Sequence, residues 1–206
     1  MPVNIGTTGQ PDFDQPIELM MDCHRRIEHF LGVLQKVAAR YTDQPLDTQG
    51  REALETAMNY FRSAAPRHTA DEEQSLFPRM RQVDSPQVKQ AMAEIDRLES
   101  DHRKAEAAHA RLDELGRQWL GDGTLSGESL AEFQGLLDEL TQAYGEHIPI
   151  EDENVFVLAK RVLTGEQLRA VGNEMKQRRT DDPGRPGSRC AERRQERLQS
   201  QASTDD

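Results

Sequence analysis

The chain has 206 residues, enough for one well-buried domain plus tails, and its 35% hydrophobic content is low yet within reach of a helical bundle. A formal net charge of −11 excludes a general nucleic-acid-binding surface, because phosphate recognition needs a dense cationic face. Met1 to Pro16 lacks the basic start and apolar run of a secretory signal, and no later stretch approaches the ~20 apolar residues that span a bilayer, so a cytosolic protein without a membrane partner is expected.

Few prolines and 5% aromatic residues, against plentiful Ala, Leu, Glu, Gln and Arg, favour helix throughout, since unbranched side chains lose little rotamer freedom there. Residues 1–15, with Gly6, Gly9 and Pro11 among polar residues, are expected to form a flexible lead-in. A first helix begins near Pro16 and presents Ile17, Leu19, Met20, Ile27, Phe30, Leu31, Leu34 and Val37 on a broad apolar face up to about Tyr41. The short connection Thr42 to Asp47 joins antiparallel neighbours. A second helix spans about Thr48 to Gln82, with a kink or break expected near Ala64 because Pro66 cannot donate a backbone hydrogen bond.

Asp84-Ser85-Pro86 supplies a stop and a restart, and a third helix continues to about Trp119, where Gly121-Asp122-Gly123 ends it. Ser126 and Ser129 are the candidate caps of a fourth helix that carries Leu130, Phe133, Leu136, Leu137, Leu140 and Tyr144 to about Leu163, kinked at Pro149. Thr164-Gly165-Glu166-Gln167 has the form of a capping box, so a short fifth helix follows over residues 165–179. Residues 181–206 have almost nothing to bury and are expected to be a disordered, solvated tail, basic cluster Arg189, Arg193, Arg194 and Arg197 included. The two cysteines, Cys23 and Cys190, build no disulfide framework, which fits a reducing compartment. The expected fold is all-α, an antiparallel up-down-up-down four-helix bundle with a short fifth C-terminal helix, its single domain covering residues 16–180.

Four of the 6 histidines begin the pattern His-x-x-x-Glu, one on each long helix: His24 with Glu28, His68 with Glu72, His102 with Glu106 and His147 with Glu151. An i,i+4 pair lies about 40° apart on a helix, so each can present a nitrogen and a carboxylate in one direction. Counting residues up and down successive helices brings all four histidines to one level of the bundle. The chain also repeats itself. His68-Thr-Ala-Asp-Glu72-Glu73 matches His147-Ile-Pro-Ile-Glu151-Asp152, and the spacing from the patterned histidine before it is 44 residues from His24 to His68 and 45 from His102 to His147. Two hairpins related by a pseudo-two-fold place Glu72 and Glu151 opposite each other, as two carboxylates bridging two cations require. One such pair alone is ordinarily an exposed helical contact. Four in register have no equivalent packing explanation, because imidazoles and carboxylates buried without metal leave costly unpaired polar groups.

Single histidine, His-x-x-x-Glu, single histidine, His-x-x-x-Glu, with Leu76-Phe77-Pro78 after the second element, resembles the haemerythrin-like HHE cation-binding domain over about residues 13–180. The resemblance implies two non-haem iron ions, carboxylate-bridged. It makes His24, His68, His102 and His147 the terminal ligands and Glu72 and Glu151 the bridges, with His24 and His68 on one ion, His102 and His147 on the other, and an open position for a diatomic ligand such as oxygen or nitric oxide. Oxygen-carrying haemerythrins have a fifth histidine one turn after the third-helix ligand, where this chain has Glu106. Glu28 and Glu106 remain open between ligand, hydrogen-bond partner of the site and ordinary helix carboxylate. His109 is expected in an outer shell or at the surface, His29 at the surface, and Glu73 and Asp152, about 140° from their histidines, either in an outer shell around the site or facing solvent.

Two functions follow from such a site. The first is a module that binds, senses or buffers oxygen, nitric oxide or iron. The second is a di-iron enzyme that handles peroxide or donates iron for iron–sulfur cluster repair; repair-type members of the family carry an N-terminal cysteine-containing domain, nothing of which precedes Pro16. A ferritin-like oxidase needs Glu-x-x-His on two helices, whereas Glu99/His102 and Glu106/His109 share the third. Nitrogen and carboxylate oxygen suit iron, with zinc and manganese also compatible by ligand type.

Overall fold

A computed structural model describes residues 12–180. The expectations for residues 1–11 and for the tail 181–206, Cys190 and the basic cluster included, lie outside the described residues. Five helices follow one another: α1 (Pro16–Arg40), α2 (residues 48–81), α3 (Pro86–Asp122), α4 (residues 127–162) and α5 (Gly165–Thr180). Helices α2 and α4 each contain one π-helical turn, Glu72–Leu76 and Glu151–Val155. Every regular element among the described residues is helical.

Helix ends follow the local chemistry read from the sequence. The Asp47 carboxylate accepts the backbone N–H of Gly50 (2.7 Å) and the hydroxyl of Tyr41 (2.6 Å), so one side chain caps α2 and pins it to the end of α1. Gly123, in the left-handed region at φ 76°, stops α3 where a Cβ would be strained, and its carbonyl accepts the N–H of Leu46, joining two connections at one end of the bundle. Of the two candidate caps of α4, Ser126 is the one used. Thr164 and Gln167 exchange both hydrogen bonds of a capping box. The break expected near Ala64 does not occur: α2 runs through Pro66, held on both sides by the buried residues Phe61, Ala65 and His68. Its departure from α-helical geometry comes later, at Glu72.

Each long helix packs on its two neighbours in the order α1–α2–α3–α4–α1, the up-down-up-down arrangement that short connections favour. α5 lies across α1 and α2. The apolar stripes meet in two separate layers. One is built around Leu34, Leu54, Leu112, Trp119 and Phe133. The other, around Met20, Leu76, Phe77, Phe156 and Met175, includes α5. Between these layers the same inward stripes carry His24, His68, Glu72, His147 and Glu151, all buried. No helix among the described residues is long and apolar enough to cross a membrane.

α5 is seated by a close backbone approach. A Cβ built on Gly172 would stand 1.9 Å from the carbonyl oxygen of Phe13, in the turn that precedes α1. Replacement of Gly172 by alanine is therefore expected to push α5 off its seat, costing about 1–3 kcal/mol and lowering the melting temperature by at least about 2 °C. Calorimetry checks this; an unchanged transition would show that the Phe13 turn yields freely.

Candidate metal centre

The buried stripe of α1 passes through Met20, His24, Ile27 and Leu31, so His24 points inward and Glu28, one position round, is exposed. Glu106 on α3 is exposed for the same reason, and both are ordinary helix carboxylates with respect to this cluster. In α2 and α4 the acids do turn inward: Glu72 and Glu151 are fully buried.

The six candidate ligand residues meet at one point. Glu72 Oε1 lies 3.6 Å from His24 Nε2 and 3.3 Å from His68 Nε2, while its Oε2 lies 3.5 Å from His102 Nε2. Glu151 is the mirror of this, with Oε2 at 3.1 Å from His24 Nε2 and Oε1 at 3.0 Å from His147 Nε2 and 3.8 Å from His102 Nε2. Ring centroids are 4.6 Å apart for His24 and His68 and 4.7 Å for His102 and His147, so the imidazoles fall into two pairs. Ligand atoms of His24, His68, Glu72 and Glu151 all lie within 4.8 Å of one another, as do those of His102, His147 and Glu151.

The acids at i+5 take the outer-shell place rather than the solvent-facing one. Asp152 Oδ1 is 2.7 Å from His24 Nδ1, and Glu73 Oε1 is 2.9 Å from His102 Nδ1. A carboxylate turned away from the histidine of its own helix faces the histidine of the neighbouring one. Each such contact orients the ring, favours a proton on Nδ1 and turns Nε2 toward the cluster.

The donor set fits a group of cations. All four oxygens of Glu72 and Glu151, together with His24 Nε2, are buried without an aligned hydrogen bond, a costly state unless something else satisfies them. The protonation equilibria carry the same conflict. Burial and the neighbouring Glu151 push Glu72 well above the usual carboxylate range, and burial drives His68 well below the usual imidazole range. Glu151, despite its burial, is held below the usual range by His147 and His24. His24, also against its burial, is pushed up to about 12 by Asp152, Glu151 and Glu72. Buried anions here demand positive charge beside them, and cations would supply it.

His109 stands apart from the cluster. Its Nε2 is hydrogen-bonded to the Tyr144 hydroxyl at 2.8 Å, its ring stacks on Phe61, and burial lowers its pKa to about 4. His29 is exposed. Sequence reasoning missed Asp71, fully buried beside Glu72 and ion-paired to Arg178 (2.8 Å) and Arg179 (2.7 Å) of α5. No local signal joins residues more than a hundred positions apart.

This fold and this cluster define a metal-binding helical bundle. The chain belongs to the haemerythrin HHE cation-binding domain family, whose description, Hemerythrin HHE cation binding domain, matches residues 15–159. It is also 29% identical over 168 residues to an uncharacterized protein of Haemophilus influenzae, a match covering 81% of this chain and 91% of the relative.

Asp71 ties α5 to the metal-site turn, so shortening α5 has a defined cost. A chain ending at Gln177 leaves a fully buried carboxylate without its two guanidinium partners and is expected to lose about 3 kcal/mol of stability relative to a chain ending at Thr180. Chemical denaturation of the two chains side by side reads this, and equal midpoints would mean that Asp71 is compensated elsewhere.

Proposed function

We propose that this protein holds two non-haem iron ions between its helices and binds or senses a small diatomic such as oxygen or nitric oxide. His24 and His68 hold one ion, His102 and His147 the other, and Glu72 and Glu151 bridge them. The observation that carries the reading is the division of each carboxylate, one oxygen toward each histidine pair. Such a division serves no purpose for a single ion and separates two cations by two anions, offsetting much of their repulsion. Nitrogen and oxygen donors of this kind suit iron.

The protein's own contribution is positional. Asp152 and Glu73 orient the rings of His24 and of its opposite number, His102, while the two apolar layers keep bulk water from the carboxylates. Bound iron supplies an exchangeable position for the diatomic ligand.

Metal analysis of the purified, iron-reconstituted chain is expected to give close to two iron atoms per protein. Reproducible binding of one ion or none would sink the binuclear reading. Glu72→Gln and Glu151→Gln, nearly isosteric but uncharged, are each expected to abolish the two-ion site. Glu73→Ala and Asp152→Ala are expected to keep the stoichiometry while weakening affinity about 10–100-fold, the usual size of an outer-shell loss. Titration with ferrous iron separates the two classes; equal loss in all four variants would mean that the acids cannot be ranked by their distance from the centre.

A further inference from the structure

We infer that small ligands reach the centre from one side only, through a cavity between α2, α3 and α4, and that this cavity takes an uncharged small molecule bearing an oxygen or nitrogen acceptor. The inference rests on the metal-binding reading above and adds to it a route and a ligand class.

A cavity of about 260 Å³ opens beside His102. Four of its residues, Ala65, Thr69, His102 and Tyr144, also border the small space enclosed by His24, His68, His147 and Glu151, so they form the partition between the two. Two of the four have small side chains. His102 is the most exposed of the four imidazoles, at 9% against 2% for His24, 4% for His68 and 6% for His147.

The internal repeat shows why the opening is one-sided. Aligning α1 with α3 through His24 and His102, and α2 with α4 through His68 and His147, pairs Ala65 with Tyr144, Thr69 with Ile148 and Ala105 with Ile27. In two of these pairs, Thr69 with Ile148 and Ala105 with Ile27, the cavity wall carries the smaller member, while Ala65 and Tyr144 both border the cavity. Beside His24 the positions matched to Thr69 and Ala105 carry the larger chains Ile148 and Ile27, both buried. Bulk at two matched positions, Ile27 and Ile148, closes one face of a site whose histidines and bridging glutamates are otherwise matched.

The lining states the chemistry. Phe61, Pro66 and Ala105 make an apolar wall, and the rim carries Glu73 and Glu106 against the single cation Arg103, which disfavours anions. At the inner end stands the Tyr144–His109 pair, which the repeat matches to Ala65 and Leu31 and which therefore belongs to this side alone. His109 Nδ1 is buried without a partner. A bare lone pair is cheaper to leave unpaired than an N–H, so the proton sits on Nε2 and is donated to the Tyr144 oxygen. That leaves the Tyr144 hydroxyl proton free to donate to a ligand in the cavity.

The experiment is stopped-flow mixing of the reduced, iron-loaded full chain with nitric oxide, followed by absorbance. Thr69→Ile combined with Ala105→Ile, which installs the bulk of the opposite face, is expected to keep two irons and to slow association by about tenfold or more, since the ligand must then wait for the wall to move. Ala105→Val, a smaller change at a half-buried position, is expected to slow it in the same direction and serves if the double variant loses helicity. Tyr144→Phe is expected to leave association unchanged and to speed dissociation of the ligand. Glu106→Lys is expected to quicken the association of azide, an anion, and not that of nitric oxide. Normal iron content with unchanged nitric oxide association in the wall variants would overturn the route, and unchanged dissociation in Tyr144→Phe would overturn the ligand class. Failure of the unaltered chain to take up iron would instead overturn the metal-binding reading, and this inference with it.

Discussion

Two fully buried carboxylates, Glu72 and Glu151, face each other at the middle of an apolar bundle, and each must be compensated where water cannot reach it. Four imidazoles surround them, yet the carboxylate oxygens have no aligned hydrogen bond. Protons alone leave this arrangement at odds with itself: one carboxylate is driven toward its neutral form and the other toward its charged form by the same few groups. Positive charge placed between the two carboxylates removes that conflict. The surrounding fold reads as the apparatus that keeps the two acids in place, with apolar layers above and below and short capped connections holding the helices in register.

The π-helical turns belong to the same apparatus. Each begins at the buried glutamate, whose carbonyl accepts the N–H of Phe77 or Phe156 five residues on. Pro78 follows the first turn, but Val157 occupies the matching position after the second, so proline is not the cause. What the two turns share is a pair of adjacent acids that both find partners inside the bundle: Glu72 with Glu73, and Glu151 with Asp152. A widened turn lets consecutive side chains serve the centre and the histidine of a neighbouring helix at once.

Symmetry accounts for the ligand set and its departures account for the rest. Asp71 has Ile150 at its matched position, and Asp71 ties the α2 side to α5 by ion pairs to Arg178 and Arg179. Tyr144 and His109 likewise have small or apolar matches. One half of the bundle is thus anchored by charge to the C-terminal helix, while the polar pair and the cavity lie beside His102, the most exposed imidazole.

The helices, their order and the level at which four histidines meet were all legible in the sequence, because helical periodicity, caps and a His-x-x-x-Glu repeat act over a few residues and survive any packing. The same is true of the grouping of Glu72 and Glu151 with the histidines, which needed only the repeat and the helical pitch. Which carboxylates outside that group matter was not legible. Glu28 and Glu106 share the i+4 spacing of Glu72 and Glu151 yet are exposed, since the inward stripes of α1 and α3 run on through other positions. Glu73 and Asp152 look misdirected on their own helices and serve histidines on others, and Asp71 finds its cations at Arg178 and Arg179. Spacing along one helix defines a direction, but only the packing of helices decides what lies in that direction.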